Sequence, residues 1–141
     1  MEKRYANLAL FYAITAMAFG VFYREYTKFS HFSGQTNLSV IHTHYFLLGM
    51  FFFLVLMALE KSFSFSGKKV KKILLAYQAG LNITALGFLA RGLTQVRCTE
   101  LSRGLDASIS GVAGIGHILT GISLVLLLLE IKKGARPTAT P

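Results

Sequence analysis

Four long apolar stretches, separated by short polar segments, make up most of the 141-residue chain. Each is long enough for a helix that crosses a bilayer, which takes about 20 mostly apolar residues. The pattern predicts helices at about 5–23, 37–59, 70–92 and 107–131, followed by a disordered tail at 132–141. Because short connections make successive helices antiparallel, we expect an all-α membrane protein with four transmembrane helices in an up-down-up-down bundle.

Composition and charge agree with a membrane protein. Hydrophobic residues make up 53% of the chain and charged residues 15%, below the roughly 25% of soluble domains. The net charge of +9 comes from basic residues at the ends of the apolar stretches, which suits lipid headgroups and argues against nucleic acid as a partner. Of the 15 Lys and Arg residues, ten lie in the N-terminus, second connection and tail and five in the other connections. This asymmetry predicts a multi-pass protein of the bacterial cytoplasmic membrane with both termini in the cytoplasm.

Several functions are disfavoured by what the sequence lacks. With Cys98 as its single cysteine, the chain has neither an internal disulfide nor a paired-cysteine redox motif. No carboxylate falls at the middle of a predicted span, where a proton-coupled exporter needs one. No phosphate-binding loop or nucleophile–base pattern is present. The sequence does not decide whether the protein is an enzyme, and we do not expect this chain to be an enzyme on its own.

Histidines inside two predicted spans are the strongest functional signal. His42 and His44 lie near the start of the second helix, and His117 lies in the fourth. An imidazole in hydrocarbon is costly unless it binds something, so an intramembrane histidine indicates a functional site. At about 100° per residue, His42 and His44 point to nearly opposite sides of their helix, so one of them faces the bundle.

These histidines predict a b-type haem held between the second and fourth helices, for electron transfer or for redox or gas sensing. The axial ligands are His117 and one histidine of the second helix; depth in the membrane slightly favours His44 over His42. Glycines beside the ligands leave room for a flat porphyrin, and interfacial arginines suit its propionates. The expected packing residues are Gly49, Gly114 and Gly121, and the expected propionate partners are Arg24 and Arg91.

One segment of the second helix carries a family resemblance. Leu38-Ser-Val-Ile-His42-Thr-His44-Tyr-Phe-Leu-Leu-Gly49 resembles the second-helix segment of nitric oxide reductases and related haem–copper oxidases. In those proteins a His-Thr-Asn sequence precedes the apolar helix, and its histidine binds the low-spin haem. The resemblance implies His42 as the axial ligand, with His44 as its substitute. The chain lacks the further histidines of an oxidase's binuclear centre, so we do not expect it to reduce oxygen or nitric oxide by itself.

A second resemblance covers most of the chain but implies no activity. The sequence resembles a family of small four-helix bacterial membrane proteins. The stretches that carry this likeness are Phe22-Tyr-Arg-Glu-Tyr-Thr-Lys28, His42-Thr-His44, Arg91-Gly-Leu-Thr-Gln95 and Gly104-Leu-Asp-Ala-Ser-Ile-Ser-Gly-Val-Ala-Gly-Ile-Gly-His117.

Two other functions fit the same residues. The first is a copper or zinc site formed by His42 or His44 and His117, with Met50 or Cys98 nearby, because imidazole suits both metals. The second is a non-enzymatic assembly subunit that packs through the small-residue face of the fourth helix against a second copy or a respiratory or redox partner. In that case the histidines only form hydrogen bonds.

Overall fold

The computed structural model describes residues 1–135, and within them it consists of four helices and no strand. They are α1 (Glu2–Phe29), α2 (Leu38–Phe63), α3 (Lys68–Val96) and α4 (Arg103–Gly134). Each is long and apolar enough to cross a membrane, with a mean hydropathy of 1.6 to 2.3 over its most apolar 18 residues. The predicted all-α class with four membrane-spanning helices is confirmed.

The helices are longer than the sequence pattern predicts. The apolar pattern marks the part of a helix that lies in hydrocarbon, whereas the hydrogen-bonded helix continues into the polar interface. At its C-terminal end α4 runs to Gly134, so Lys132 and Lys133 are helical and do not belong to a disordered tail. The rest of the predicted tail, residues 136–141, lies outside the described residues.

Hydrogen bonds between helix ends show the up-down-up-down order. At the end of the bundle that carries residue 2 and Gly134, here called the termini end, the Tyr5 hydroxyl lies 2.7 Å from Ser66 Oγ. Also at this end, Lys69 donates to Glu130 at 2.8 Å. At the opposite, distal end, the Thr36 hydroxyl donates to the Gly92 carbonyl at 3.0 Å. Neighbouring helices are therefore antiparallel.

The third helix lies at the centre of the molecule. In the most apolar window of α3, 44% of the residues are buried, against 22%, 28% and 22% in α1, α2 and α4. One side of α3 packs with α1 and α2 around large buried aromatic residues, which are Tyr5, Tyr12, Phe53 and Tyr77. The other side of α3 packs along the length of α4.

Contact between α3 and α4 depends on two Gly-x-x-x-Thr pairs. A Cβ added to Gly80 would lie 2.6 Å from Thr120 Oγ1, and one added to Gly116 would lie 2.5 Å from Thr84 Oγ1. Each glycine thus receives the threonine of the opposite helix, which brings the two backbones into close contact. As a result, α4 contacts the rest of the bundle along one narrow face, and its other faces are exposed.

Candidate functional site

Two of the three intramembrane histidines meet in the distal half of the bundle. The rings of His44 on α2 and His117 on α4 have centroids 6.0 Å apart and planes at 89°. Phe88 of α3 lies between the two helices, 4.9 Å from the His44 ring and 5.5 Å from the His117 ring. Three helices therefore contribute one ring each to a compact group.

The hydrogen bonds of both imidazoles fix the same tautomer. His44 Nδ1 lies 2.8 Å from the Val40 carbonyl oxygen, and His117 Nδ1 lies 2.9 Å from the Ala113 carbonyl oxygen. A carbonyl oxygen only accepts, so each Nδ1 carries the proton, and Nε2 of the neutral ring keeps a lone pair. Metal-ligating histidines almost always make such a bond through the nitrogen that does not bind the metal. Both side chains are thus prepared to ligate through Nε2.

A cavity of about 200 Å³ adjoins the histidine pair on its termini side. Gly121 lies in its wall, and a Cβ added to either Gly121 or Gly114 would meet nothing within 4 Å. The surface of α4 beside these two glycines is therefore open, and their packing against a porphyrin stays a prediction. The full lining is mostly apolar and consists of His44, Leu48, Leu81, Thr84, His117, Thr120, Gly121 and Leu124. His117 is exposed on the outside of the helices, so the site is accessible from the side of the bundle.

His42 lies on the opposite face of α2. Its ring stacks on Tyr23 of α1, with centroids 6.4 Å apart and an angle of 12° between the planes. It also lies over Gly20, and among the described residues its buried Nδ1 has no hydrogen-bond partner. The predicted pairing of His42 with His117 is therefore not the one that the structure makes. The pair is His44 and His117. Two positions along a helix place His42 and His44 on opposite sides, and the side that carries His44 packs on Phe88 of α3, whereas the side that carries His42 packs on Tyr23 of α1.

Three other residues predicted to join the site lie elsewhere. Gly49 packs against α1, where a Cβ would lie 2.6 Å from Tyr12 Cγ, so it does not line the histidine cavity. Met50 lines an apolar groove with α1 residues, and Cys98 is exposed in the loop after α3. In residues 1–135 no three His, Cys, Asp or Glu side chains converge. The predicted copper or zinc site with Met50 or Cys98 as a further ligand is not assembled.

The two predicted arginines differ in their surroundings. The Arg24 side chain is 82% exposed, and its nearest carboxylate is Glu25, at 3.8 Å. Arg91 is 21% exposed, forms an ion pair with Asp106 and donates to Ser110 Oγ at 2.7 Å. Because Arg91 is three residues after Phe88, it lies about one helical turn distal to the histidine pair, on the side of α3 that faces α4. Of the two, Arg91 has the position that the prediction requires.

A family model matches residues 1–134 and carries the description "Protein of unknown function (DUF2871)". The chain belongs to the DUF2871 family. This agrees with the predicted likeness to a family that covers most of the chain and implies no activity. No curated protein and no solved structure matches the chain, so the resemblance of α2 to haem–copper oxidases stays a prediction.

Sequence reasoning missed two features of this DUF2871 chain. Phe88 was not singled out, although it lies at i+4 from Thr84 and i−3 from Arg91 and thus on the α3 face that meets α4. The second missed feature is a π-helical stretch that directly follows His44, at Tyr45–Phe51. The only sequence signal for it is a spacing of four between the inward-facing residues of α2, which an α-helix does not sustain over several turns.

Proposed function

We propose that the protein binds one b-type haem between α2 and α4, with His44 and His117 as axial ligands, and acts in electron transfer or in redox or gas sensing. The observation that carries the proposal is the hydrogen bonding of the two imidazoles. Both donate Nδ1–H to a backbone carbonyl, and their rings are neighbours with centroids 6.0 Å apart, which leaves Nε2 of each without a protein partner among the described residues.

The spacing of the rings supports one shared metal ion. Two imidazoles that each bind a metal through nitrogen at about 2 Å have ring centroids roughly 5 to 6 Å apart, depending on the angle at the metal. The observed distance is 6.0 Å. When bound, a haem with two axial imidazoles supplies an iron that gains and loses one electron.

The number of ligands favours a porphyrin over a bare metal ion. A bare zinc or copper ion normally has three or four protein ligands, whereas the described residues bring only two to this place. The Phe88 ring, 4.9 and 5.5 Å from the two imidazoles, takes part of the space that a macrocycle between them needs, so haem binding requires Phe88 to turn aside and the cavity to widen. The adjoining cavity has leucine walls, and Gly121 and Gly114 provide a flat helix surface beside His117. Because the site opens at the side of the bundle, an apolar macrocycle has access from the lipid. Arg91, one turn further along α3, is the candidate partner for a propionate.

Location and orientation belong to the same proposal. The excess of Lys and Arg near the termini favours a bacterial cytoplasmic membrane with both termini in the cytoplasm. The histidine pair then lies in the outer half of the membrane, where it serves a respiratory or redox partner on that side.

The deciding experiment is an absorption spectrum of the full-length protein, purified in detergent from haem-replete cells. We expect a Soret band that shifts on reduction, and its loss in His44→Ala and His117→Ala. His42→Ala is the matched control, because it removes an imidazole two positions away on the other face of α2. A wild-type protein without haem after reconstitution, or a band lost equally in His42→Ala, contradicts the proposal. Stoichiometric copper or zinc would instead identify a bare metal site, and retention of neither would favour an assembly role.

A further inference from the structure

The inward-facing residues of α2 recur at every fourth position. Ile41, Tyr45, Gly49 and Phe53 are all buried against the rest of the bundle. In a regular α-helix, 12 residues at about 100° each leave Phe53 roughly 120° out of line with Ile41. A π-helical turn takes up about one extra residue and removes most of this drift. The π-helical stretch Tyr45–Phe51 therefore keeps both halves of α2 facing the bundle.

The same stretch determines the direction of His44. His44, Leu48 and Phe52 form a second row at intervals of four, which faces α3. At one end of this row His44 contacts Phe88, and at the other end Phe52 stacks on Tyr77 with centroids 4.4 Å apart. If the π-helical stretch became α-helical while Phe52 stayed in place, His44 would rotate by about 100°, away from His117.

One side-chain hydrogen bond replaces the α-helical bond that the π turn removes. In an α-helix the Phe52 N–H would donate to the Leu48 carbonyl, but here it donates to the carbonyls of Leu47 and Gly49. The Leu48 carbonyl instead accepts the hydroxyl proton of Tyr77 at 2.8 Å. Tyr77 is fully buried on α3, so this bond is shielded from lipid and water.

We propose that Tyr77 is a positioning residue, which holds the π-helical stretch of α2 through the Leu48 carbonyl and thereby directs His44 toward His117. The functional side of this inference rests on the proposed haem site, but the geometric side does not. Without the hydroxyl, the Leu48 carbonyl loses its partner, which shifts the balance from the π-helical arrangement toward the α-helical one, in which His44 is rotated.

The test compares Tyr77→Phe with Tyr5→Phe. Tyr5 is the matched control, because it is also fully buried and hydrogen-bonded but makes its bond to Ser66 at the termini end. In a Cys98→Ser background, His44→Cys and His117→Cys place two thiols at the site, and a short bifunctional thiol reagent measures their proximity without any haem. We expect Tyr77→Phe to slow cross-linking by up to about fivefold, because loss of one typical hydrogen bond changes the equilibrium between the two arrangements of α2 by about that factor. Tyr5→Phe should cross-link at the parent rate.

A second measurement uses the native histidines. If wild-type protein holds haem, Tyr77→Phe should alter the low-spin electron paramagnetic resonance signal, which reports the orientation of the axial imidazoles, whereas Tyr5→Phe should not. Equal cross-linking in Tyr77→Phe and Tyr5→Phe overturns the positioning role, whatever haem does. Slower cross-linking in a protein that binds no haem supports the positioning role and rejects the haem proposal, so the two failures are distinguishable.

Discussion

The two faces of α2 contrast in how their polar groups are used. Toward α1 the face is closed: Gly49 fits against Tyr12 of α1, and the Tyr45 hydroxyl beside it donates to Asn82 Oδ1 of α3 at 3.0 Å. Toward α4 the face is open: His44 adjoins a cavity of about 200 Å³. On the closed face the tyrosine and asparagine side chains bond to one another, although the buried Nδ1 of His42 has no partner there among the described residues. On the open face His44 and His117 each use Nδ1 for a backbone carbonyl, and both line the cavity.

This difference distinguishes residues that stabilise the bundle from residues that are available to bind a ligand. Buried polar groups inside a membrane protein normally find partners within the protein, since lipid offers none. Asn82 does so by donating to the Tyr12 hydroxyl at 3.2 Å and to the Gln78 carbonyl at 2.7 Å. The described residues give no such partner to Nε2 of His44 or His117. We propose the open face as the functional one because a cavity adjoins both of its histidines, and we assign a mainly structural role to the closed face and to the contact between α3 and α4.

The largest expected effect comes from Gly116→Ala, which separates α3 from α4. The new Cβ would lie 2.6 Å from the Thr84 backbone nitrogen and 2.9 Å from the Gly80 carbonyl oxygen, so backbone has to move. Overpacking of this kind costs about 1–3 kcal/mol. We expect a lower midpoint of thermal denaturation, measured in detergent by the loss of the helical circular dichroism signal. The haem content should be lower as well.

Gly114→Ala is the matched control for this change. Gly114 lies two positions earlier on the same helix, and a Cβ there meets nothing within 4 Å. The substitution should leave stability unchanged or raise it slightly, because alanine favours the helix over glycine by about 0.5–1 kcal/mol. Equal loss of stability in Gly114→Ala and Gly116→Ala would show that α3 and α4 do not meet through the Gly-x-x-x-Thr pairs.

A smaller effect, confined to the open face, is expected from Gly121→Leu. A Cβ at this position meets nothing within 4 Å, and Gly121 lines the cavity beside His117, so we expect a leucine side chain to take up part of that space without a backbone shift. We expect unchanged thermal denaturation but at least a tenfold weaker retention of haem, which corresponds to about 1.4 kcal/mol. Gly111→Leu, also in open space but outside the cavity lining, should retain haem fully. Full retention in Gly121→Leu would place the haem outside this cavity.

The sequence predicted the fold class and the helix order, because both depend on simple signals. Apolar stretches of about 20 residues give membrane spans, and short connections make neighbours antiparallel. It also predicted that a histidine of the second helix would lie near His117 and that open space would adjoin Gly114 and Gly121. These inferences need only local periodicity and helix geometry.

The sequence alone did not determine which of His42 and His44 lies beside His117. Which side of α2 faces α4 depends on where Tyr12, Phe53 and Tyr77 pack, and on the π-helical turn that shifts the phase of the helix. Helix periodicity shows only that His42 and His44 point apart. For the same reason Gly49 was placed beside a haem, although its contact is with Tyr12.

A smaller effect on stability than that of Gly116→Ala is expected from Asn82→Leu on the closed face. The change leaves the hydroxyls of Tyr12 and Tyr45 without their partner, and hydrogen bonds between membrane helices contribute about 1 kcal/mol. The denaturation midpoint should fall modestly while haem binding stays intact. Gln78→Leu is the control, because Gln78 bonds only within its own helix, to the Leu74 carbonyl at 3.0 Å. Loss of haem from a stable Asn82→Leu protein would mean that the closed face also serves the site.

The smallest expected effect comes from replacing Arg91, in comparison with Arg24, the other arginine predicted to bind a propionate. Arg91→Gln removes the ion pair to Asp106, and a partly exposed pair of this kind contributes roughly 0.2–1 kcal/mol. If Arg91 also faces a propionate, the loss of its positive charge favours the ferric state, so the reduction potential of the haem should fall. Arg24→Gln should change neither quantity, because that side chain is 82% exposed. Asp106→Asn is a further test, because it removes the carboxylate that pairs with Arg91 and should therefore raise the reduction potential of the haem. Equal reduction potentials in Arg91→Gln, Arg24→Gln and Asp106→Asn would place the propionates away from Arg91.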